Sequence, residues 1–194
     1  MSRIYLARHG ETEWNAIGKL QGATDVPLNE VGRAQARRLG ELLRDEVIDG
    51  VTTSDLSRAR ETGTIAGDVL GTTTFEADAD LRERGFGIFE GLTRAECDAS
   101  FPEAWRDWQA RAIAPPGAEP IDRVVARMNR AIARIALRPG PTLVVSHGGA
   151  MRLLLTELTG QPVLPIGNGA IYRIDFDSDR FDVQSWAPHE GSAK

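Results

Sequence analysis

The chain has 194 residues, 41% of them hydrophobic and 26% charged, with a formal net charge of −5 and a single cysteine. That length predicts one globular domain over 1–194 that buries a core without staples. The acidic balance argues against a nucleic-acid surface, and the solitary Cys97 excludes an intrachain disulfide or a cysteine-rich zinc site. The apolar run at the N-terminus is too short for a signal peptide, and no stretch approaches the roughly 20 apolar residues of a membrane span, so a cytoplasmic location is expected.

Residues 3–7 predict a short buried strand that runs directly into Arg8, His9 and Gly10. Asn29 can cap a helix with apolar positions at Val31, Ala34, Leu39, Leu42 and Leu43, ending near Asp49 and Gly50. Val51 to Ser54 is β-prone, Leu56 to Leu70 predicts a helix stopped at Gly71, and Thr72 to Phe75 a weak strand. Residues 81–92, rich in glycine and charge, predict a loop. Thr93 to Glu96 has the pattern of a capping box, and Pro102 suits the first turn of a second short helix through Trp108. After the Ala114–Gly117 linker, Ile121 to Leu137 sets Val124, Val125, Met128, Ile132 and Ile135 close to one helical face. Pro139 to Pro141 breaks it. Thr142 to Ser146 carries the strongest buried-strand signal and runs into His147, Gly148 and Gly149; a helix over Met151 to Leu158 ends near Gly160. Ala170 to Phe176 and Arg180 to Trp186 suggest a hairpin around Asp177 to Asp179. Strands alternating with helices predict an α/β fold, a three-layer α/β/α sandwich on a mostly parallel central sheet.

The chain has three histidines, and two of them, His9 and His147, stand in the same context: strand end, glycine, helix start. Open α/β sheets place ligands outside the carboxyl ends of their strands, where helix N-termini offer N–H groups to anions. A single histidine at a strand end is ordinarily buried and satisfied by backbone, but a matched pair beside Arg8 points to a phosphate ester and a histidine that works on it. Gly10 permits close approach of a ligand or an unusual φ, and Asn15 can return a donor to the same pocket. Arg58, in the first turn after the β-prone run Val51 to Ser54, offers a permanently charged fork for phosphate oxygens. A leaving alkoxide needs a proton donor. Glu83 is the candidate, with Asp78, Asp80 and Glu90 as nearby acids that periodicity alone does not separate from it. No metal site is expected: the chain lacks H-x-H and H-E-x-x-H spacing, and His189 lies in the C-terminal tail.

Taken together these segments resemble the histidine phosphatase superfamily, in its phosphoglycerate mutase-like branch. The resemblance runs through Leu6 to Asn15, Pro27 to Ala36, Ser54 to Thr62, Leu81 to Glu83, Gly87 to Gly91 and Val145 to Gly149, in the family's order over nearly the whole chain. It implies that His9 is the nucleophile that becomes phosphorylated, and that Arg8, Arg58 and His147 cradle the phosphoryl group. It further implies that Glu83 is general acid and then base, and that Asn15, Gln21, Gly22, Arg58 and Gly148 bind substrate. No metal or other cofactor is implied. The family's mutases carry a longer insertion between the acid and the second histidine. The shorter span here resembles the phosphatases, with residues 93–117 as a helical lid in which Trp105, Arg106, Trp108 and Arg111 are candidate substrate contacts. The resemblance thus implies a phosphomonoesterase acting on sugar phosphates or phosphoglycerate-type metabolites. The alternatives are a mutase primed by a bisphosphorylated ester and a catalytically weak phospholigand-binding module. The expected partner is a small phosphate ester, with no nucleic acid, no membrane, and a homodimer possible.

Overall fold

The computed structural model describes residues 2–110, 113–177 and 180–185. In chain order its elements are β1 (Ser2–Arg8), α1 (Glu13–Ala16), α2 (Glu30–Leu42), β2 (Gly50–Thr53), α3 (Ser57–Leu70), β3 (Phe75–Ala77), α4 (Arg94–Ser100), α5 (Pro102–Gln109), α6 (Ile121–Ala136), β4 (Thr142–Ser146), α7 (Gly148–Thr159), β5 (Ile171–Asp177) and β6 (Arg180–Ser185), with 3₁₀ turns at Ala79–Leu81 and Gly87–Phe89. The strands form one six-stranded sheet in the order β3-β2-β4-β1-β5-β6. Its first four strands are mutually parallel, and β5 and β6 join antiparallel at one edge. This is the α/β/α arrangement expected. No described helix is long and apolar enough to cross a membrane.

Alternation along the strands produces the layers, because successive side chains point to opposite faces. Ile4, Leu6 and Val144 pack with Met128, Ile132 and Ile135 of α6 and Met151, Leu154 and Leu155 of α7. Tyr5, Ala7, Leu143 and Val145 face the other way, onto Leu39 of α2, Leu43 just beyond it, and Ala59 and Ala66 of α3. Burying each large aliphatic side chain contributes about 1.5–3 kcal/mol. A separate cluster of Phe89, Cys97 and Trp105 joins α4 and α5 to the 86–92 loop.

The helix after Asn29 differs from expectation in face and in length. Its buried residues are Gly32, Ala36, Leu39 and Gly40, whereas Val31, Ala34 and Leu42 are exposed. The reason is close packing: a Cβ on Gly32 would strike the Glu11 backbone, and one on Gly10 would strike that of Gly32. Leu39 and Leu43 are buried as expected, but small residues carry little hydropathy, so the hydrophobic pattern misses the rest of the buried face. Gly10 therefore makes room for α2, and its φ is not positive. The helix stops at Leu43, short of Asp49. The weak strand lies at 75–77, not 72–75, where Val51 to Thr53 pair with it. The last helix starts at Gly148, three residues earlier than its apolar pattern suggests. The capping box at Thr93 and Glu96 and the αL stop at Gly71 form as expected. The turn at 178–179, Trp186 and His189 lie outside the described residues.

Candidate active site

Strand register brings the two histidines together. Arg8 of β1 pairs with Ser146 of β4, and the His9 N–H donates to the Ser146 carbonyl at 3.0 Å. The two following imidazoles emerge side by side with ring centroids 5.0 Å apart. Both are buried, at 2% and 0% exposure. Their neighbours differ in kind. His9 Nδ1 lies 2.6 Å from the Gly10 carbonyl, which can only accept, so Nδ1 carries the proton and Nε2 keeps a lone pair. His147 Nδ1 receives the Arg58 Nε–H at 3.3 Å, so its Nε2 carries the proton. Burial, followed by Arg8 and Arg58, holds His9 well below the usual imidazole range, with the Gly10 bond acting the other way. Burial, followed by His9, Arg58, Arg8 and Arg127, does the same for His147. Both rings are therefore neutral at neutral pH.

Arg58 is fully buried, which is unusual for its type. Its terminal nitrogens donate to the Thr24 carbonyl at 2.8 Å and the Gly22 carbonyl at 2.9 Å, fixing the fork beside His147. Burial pushes its pKa down to about 10, which still leaves a cation at neutral pH. Arg8 is anchored through one terminal nitrogen on the Ile166 carbonyl at 2.7 Å. Two buried donors in this cluster, Arg8 Nε and His147 Nε2, have no hydrogen-bond partner. An unmade bond in a dry place costs about 1–3 kcal/mol, so an orphaned pair in one buried cluster has the signature of an anion site.

The four candidate acids separate by geometry. Asp78 and Asp80 pair with Arg134, and Asp80 also with Arg130, on the outside of α6. Glu90 accepts from the N–H groups of Ala23, Thr24 and Phe86 and from the Thr24 hydroxyl, which ties down the loop whose carbonyls grip Arg58. Glu83 alone reaches the second histidine's helix: it accepts from the N–H of Gly149 at 2.9 Å and of Ala150 at 2.8 Å. A Cβ on Gly149 would sit 2.6 Å from the Glu83 carboxylate and would displace it.

The expected substrate contacts have these surroundings. Asn15 Oδ1 is held by the Thr12 N–H and by the Asn168 amide, 3.2 and 3.3 Å away. Gln21 is buried with Oε1 unpartnered, and Gly22 offers its carbonyl to Arg58. Gly148 lies close enough that a Cβ would be 3.1 Å from Arg8 Nε. Trp105 is buried edge-on against Phe89 with ring centroids 5.3 Å apart, which makes it packing and not a substrate contact. Trp108 meets Phe86 and Phe89 and carries the Arg84 guanidinium 4.5 Å over its ring. Arg106 is exposed, and Arg111 lies outside the described residues.

Two positioning groups are not visible in the sequence patterns. Arg127 donates to the carbonyls of Asp80, Arg82 and Glu83 and forms a bidentate pair with Glu119, clamping the loop that carries Glu83. Asn168 donates to the His9 carbonyl at 3.0 Å. Arg127 borders the buried face of α6, where a charge inside an apolar stripe is the available signal; for Asn168 only the flanking Gly167 and Gly169 mark a turn. Among the described residues no group of three or more His, Cys, Asp or Glu side chains is placed to hold a metal ion.

Comparison with known proteins gives the family. Residues 4–188 match the family model of the histidine phosphatase superfamily (branch 1). The chain is 36% identical to phosphoglycerate mutase-like protein 4 of Arabidopsis thaliana, covering 95% of this chain and 84% of that protein. It is 33% identical to the uncharacterized phosphatase PhoE of Bacillus subtilis (strain 168), covering 96% and 94%. The structure of a mycobacterial glucosyl-3-phosphoglycerate phosphatase with VO3 superposes with a TM-score of 0.84 at 31% identity, covering 95% of this chain and 98% of that one. With its phosphoglycerate mutase-like fold, the chain belongs to branch 1 of the histidine phosphatase superfamily.

Proposed function

We propose that this protein is a phosphomonoesterase that hydrolyses small-molecule phosphate esters through a phosphohistidine at His9. The observation that carries the proposal is the pair of buried, unpartnered donors, Arg8 Nε and His147 Nε2, beside a histidine whose Nε2 lone pair is free. A phosphoryl group bound there receives hydrogen bonds from both, together with the Arg58 cation. Asn15, Gln21, Gly22 and Gly148 are the further substrate contacts proposed.

His9 Nε2 attacks phosphorus in line, and the P–O bond to the alcohol breaks. Protonated Glu83 gives its proton to the leaving oxygen. The resulting carboxylate then takes a proton from a water that attacks the phosphohistidine, releasing phosphate and restoring both groups. Charge on the equatorial oxygens is met throughout by fixed donors, the main stabilising effect in phosphoryl transfer. The same cradle supplies the positive charge that a metal would otherwise bring, so the reaction proceeds without one. The segment 93–117 acts as a lid, tied to the acid's loop through Trp108 and Arg84. Sugar phosphates and phosphoglycerate-type esters are the substrates proposed, in line with the naming of the mycobacterial relative.

The test is phosphate release from a panel of phosphate monoesters, including p-nitrophenyl phosphate and 3-phosphoglycerate, with and without EDTA. Release undiminished by EDTA is expected. Conversion of 3-phosphoglycerate to 2-phosphoglycerate without phosphate release would replace this reading with a mutase. A stable phosphoenzyme with no turnover would replace it with a binding module, and loss of activity in EDTA would remove the metal-free mechanism.

A further inference from the structure

Helix α6 carries a stripe of arginines at positions 123, 127, 130 and 134, continued by Arg138 just past its end. Steps of three and four residues place them on one face. Every member except the first is matched to an acid. Arg127 pairs with Glu119 at 2.8 Å, Arg130 with Asp80 at 3.0 Å, and Arg134 with Asp78 and Asp80 at 2.6 and 2.9 Å. Arg138 pairs with Glu76. Arg123 is exposed and has no ion pair or hydrogen bond with any described residue.

Arg123 lines a cavity of about 500 Å³ whose wall includes Glu83. The other two arginines on that wall are already neutralised, Arg82 by Asp55 and Arg127 by Glu119. The remaining lining is mostly small, including Ala23, Gly85 and Gly117, so the space is open. The group that delivers a proton to the leaving oxygen must border the alcohol half of the substrate, and this cavity is what Glu83 borders. Arg123 is then an unpaired cation on the wall facing that alcohol half.

We infer that the cavity beside Glu83 receives the leaving alcohol, and that Arg123 selects esters whose alcohol carries a carboxylate. The inference rests on the phosphatase reading above for the position of the phosphoryl group. Carboxylate is the matching chemistry because an arginine fork accepts it in two parallel bonds, as Arg127 does with Glu119.

A matched pair of esters isolates the effect. Glycerol 3-phosphate and 3-phosphoglycerate share the same primary phosphate ester and differ only in a hydroxymethyl or a carboxylate at the far end. The readout is the ratio of kcat/KM for 3-phosphoglycerate to that for glycerol 3-phosphate, which is internally corrected for the amount of folded enzyme. The ratio should fall about fivefold in Arg123→Gln, the scale of a partly exposed ion pair, and should be kept in part by Arg123→Lys, which retains charge but not the fork. A ratio that is unchanged in Arg123→Gln overturns the subsite while leaving the hydrolase reading standing. The same ratio of Kd values, measured by calorimetry on the His9→Ala background, reads the subsite without turnover. A fall there, with a wild-type enzyme that releases no phosphate from any ester, would keep the subsite and overturn the hydrolase.

Discussion

The two strand ends that carry His9 and His147 are alike in sequence and opposite in chemistry. Each is a buried strand followed by His-Gly, and each imidazole is pushed toward its neutral form by burial. One neighbour separates them. The carbonyl of Gly10 forces the proton of His9 onto Nδ1 and leaves Nε2 nucleophilic, whereas the Arg58 Nε–H forces the proton of His147 onto Nε2 and makes it a donor. Role in such a site is thus assigned by the partner of the second ring nitrogen, one step away from the reacting atom.

The largest test of that difference is to remove each ring. His9→Ala should lower turnover by roughly four orders of magnitude or more, as loss of a nucleophile does, with the circular dichroism spectrum preserved. His147→Ala removes one donor and should cost about 10²–10³ in kcat. Equal losses in the two variants would break the comparison.

Glu83→Gln comes next. It keeps size and hydrogen bonding but cannot deliver a proton, so cleavage of glycerol 3-phosphate should slow by about 10²–10⁴. The initial burst of p-nitrophenol from p-nitrophenyl phosphate, whose leaving group needs little help, should change far less in rapid mixing. Asp80→Asn and Glu90→Gln should lack that signature. Glu90 acts through the loop that holds Arg58, so its loss should slow both esters alike. A selective loss at either position instead would move the acid and leave the histidine chemistry intact.

Arg58→Ala removes the proposed phosphate ligand and the group that sets the His147 tautomer. A loss of about 2.7–4 kcal/mol of transition-state stabilisation is expected, with only partial rescue by Lys. A vanadate complex in which Arg58 makes no contact with the anion would contradict the assignment.

The smallest expected effect is on stability. Both histidines have folded-state values well below the ordinary 6.5. Above that pH neither state is protonated and nothing is lost. As pH falls below it the unfolded chain binds protons that the folded chain refuses, so each ring removes up to about 1.4 kcal/mol per pH unit. Urea midpoints measured between pH 7.5 and 5 should fall, with a shallower slope in His147→Gln. A flat profile over that range would mean that the imidazoles are not held neutral.

Much of this site is legible in the sequence because its parts are tied to strand ends. Apolar runs such as Leu143 to Val145 mark the strands, and residues directly after them must converge once the strands pair in parallel. Arg8, His9 and His147 therefore follow from local pattern. Glu83 does not, because it comes from a loop with no periodicity. Hydrophobicity left four acids open until the Gly149 and Ala150 N–H groups distinguished one. Arg127 and Asn168 escape for the same reason, since each acts on backbone carbonyls contributed by distant segments. The part of the α2 face that the pattern misses has a different cause: beside Leu39, contact there is made by Gly32, Ala36 and Gly40, and residues that pack by being small leave no hydropathic trace.

The central claim is that His9 Nε2, and neither His147 nor the other nitrogen of His9, takes the phosphoryl group. Acid quench of the enzyme within milliseconds of mixing with a phosphorus-labelled ester, followed by peptide mapping and identification of the phosphohistidine isomer, tests it directly. The account predicts label on the peptide containing His9, bonded through Nε2, and no label in His9→Ala. Label on His147, label at Nδ1 of His9, or full turnover with no labelled histidine would contradict it.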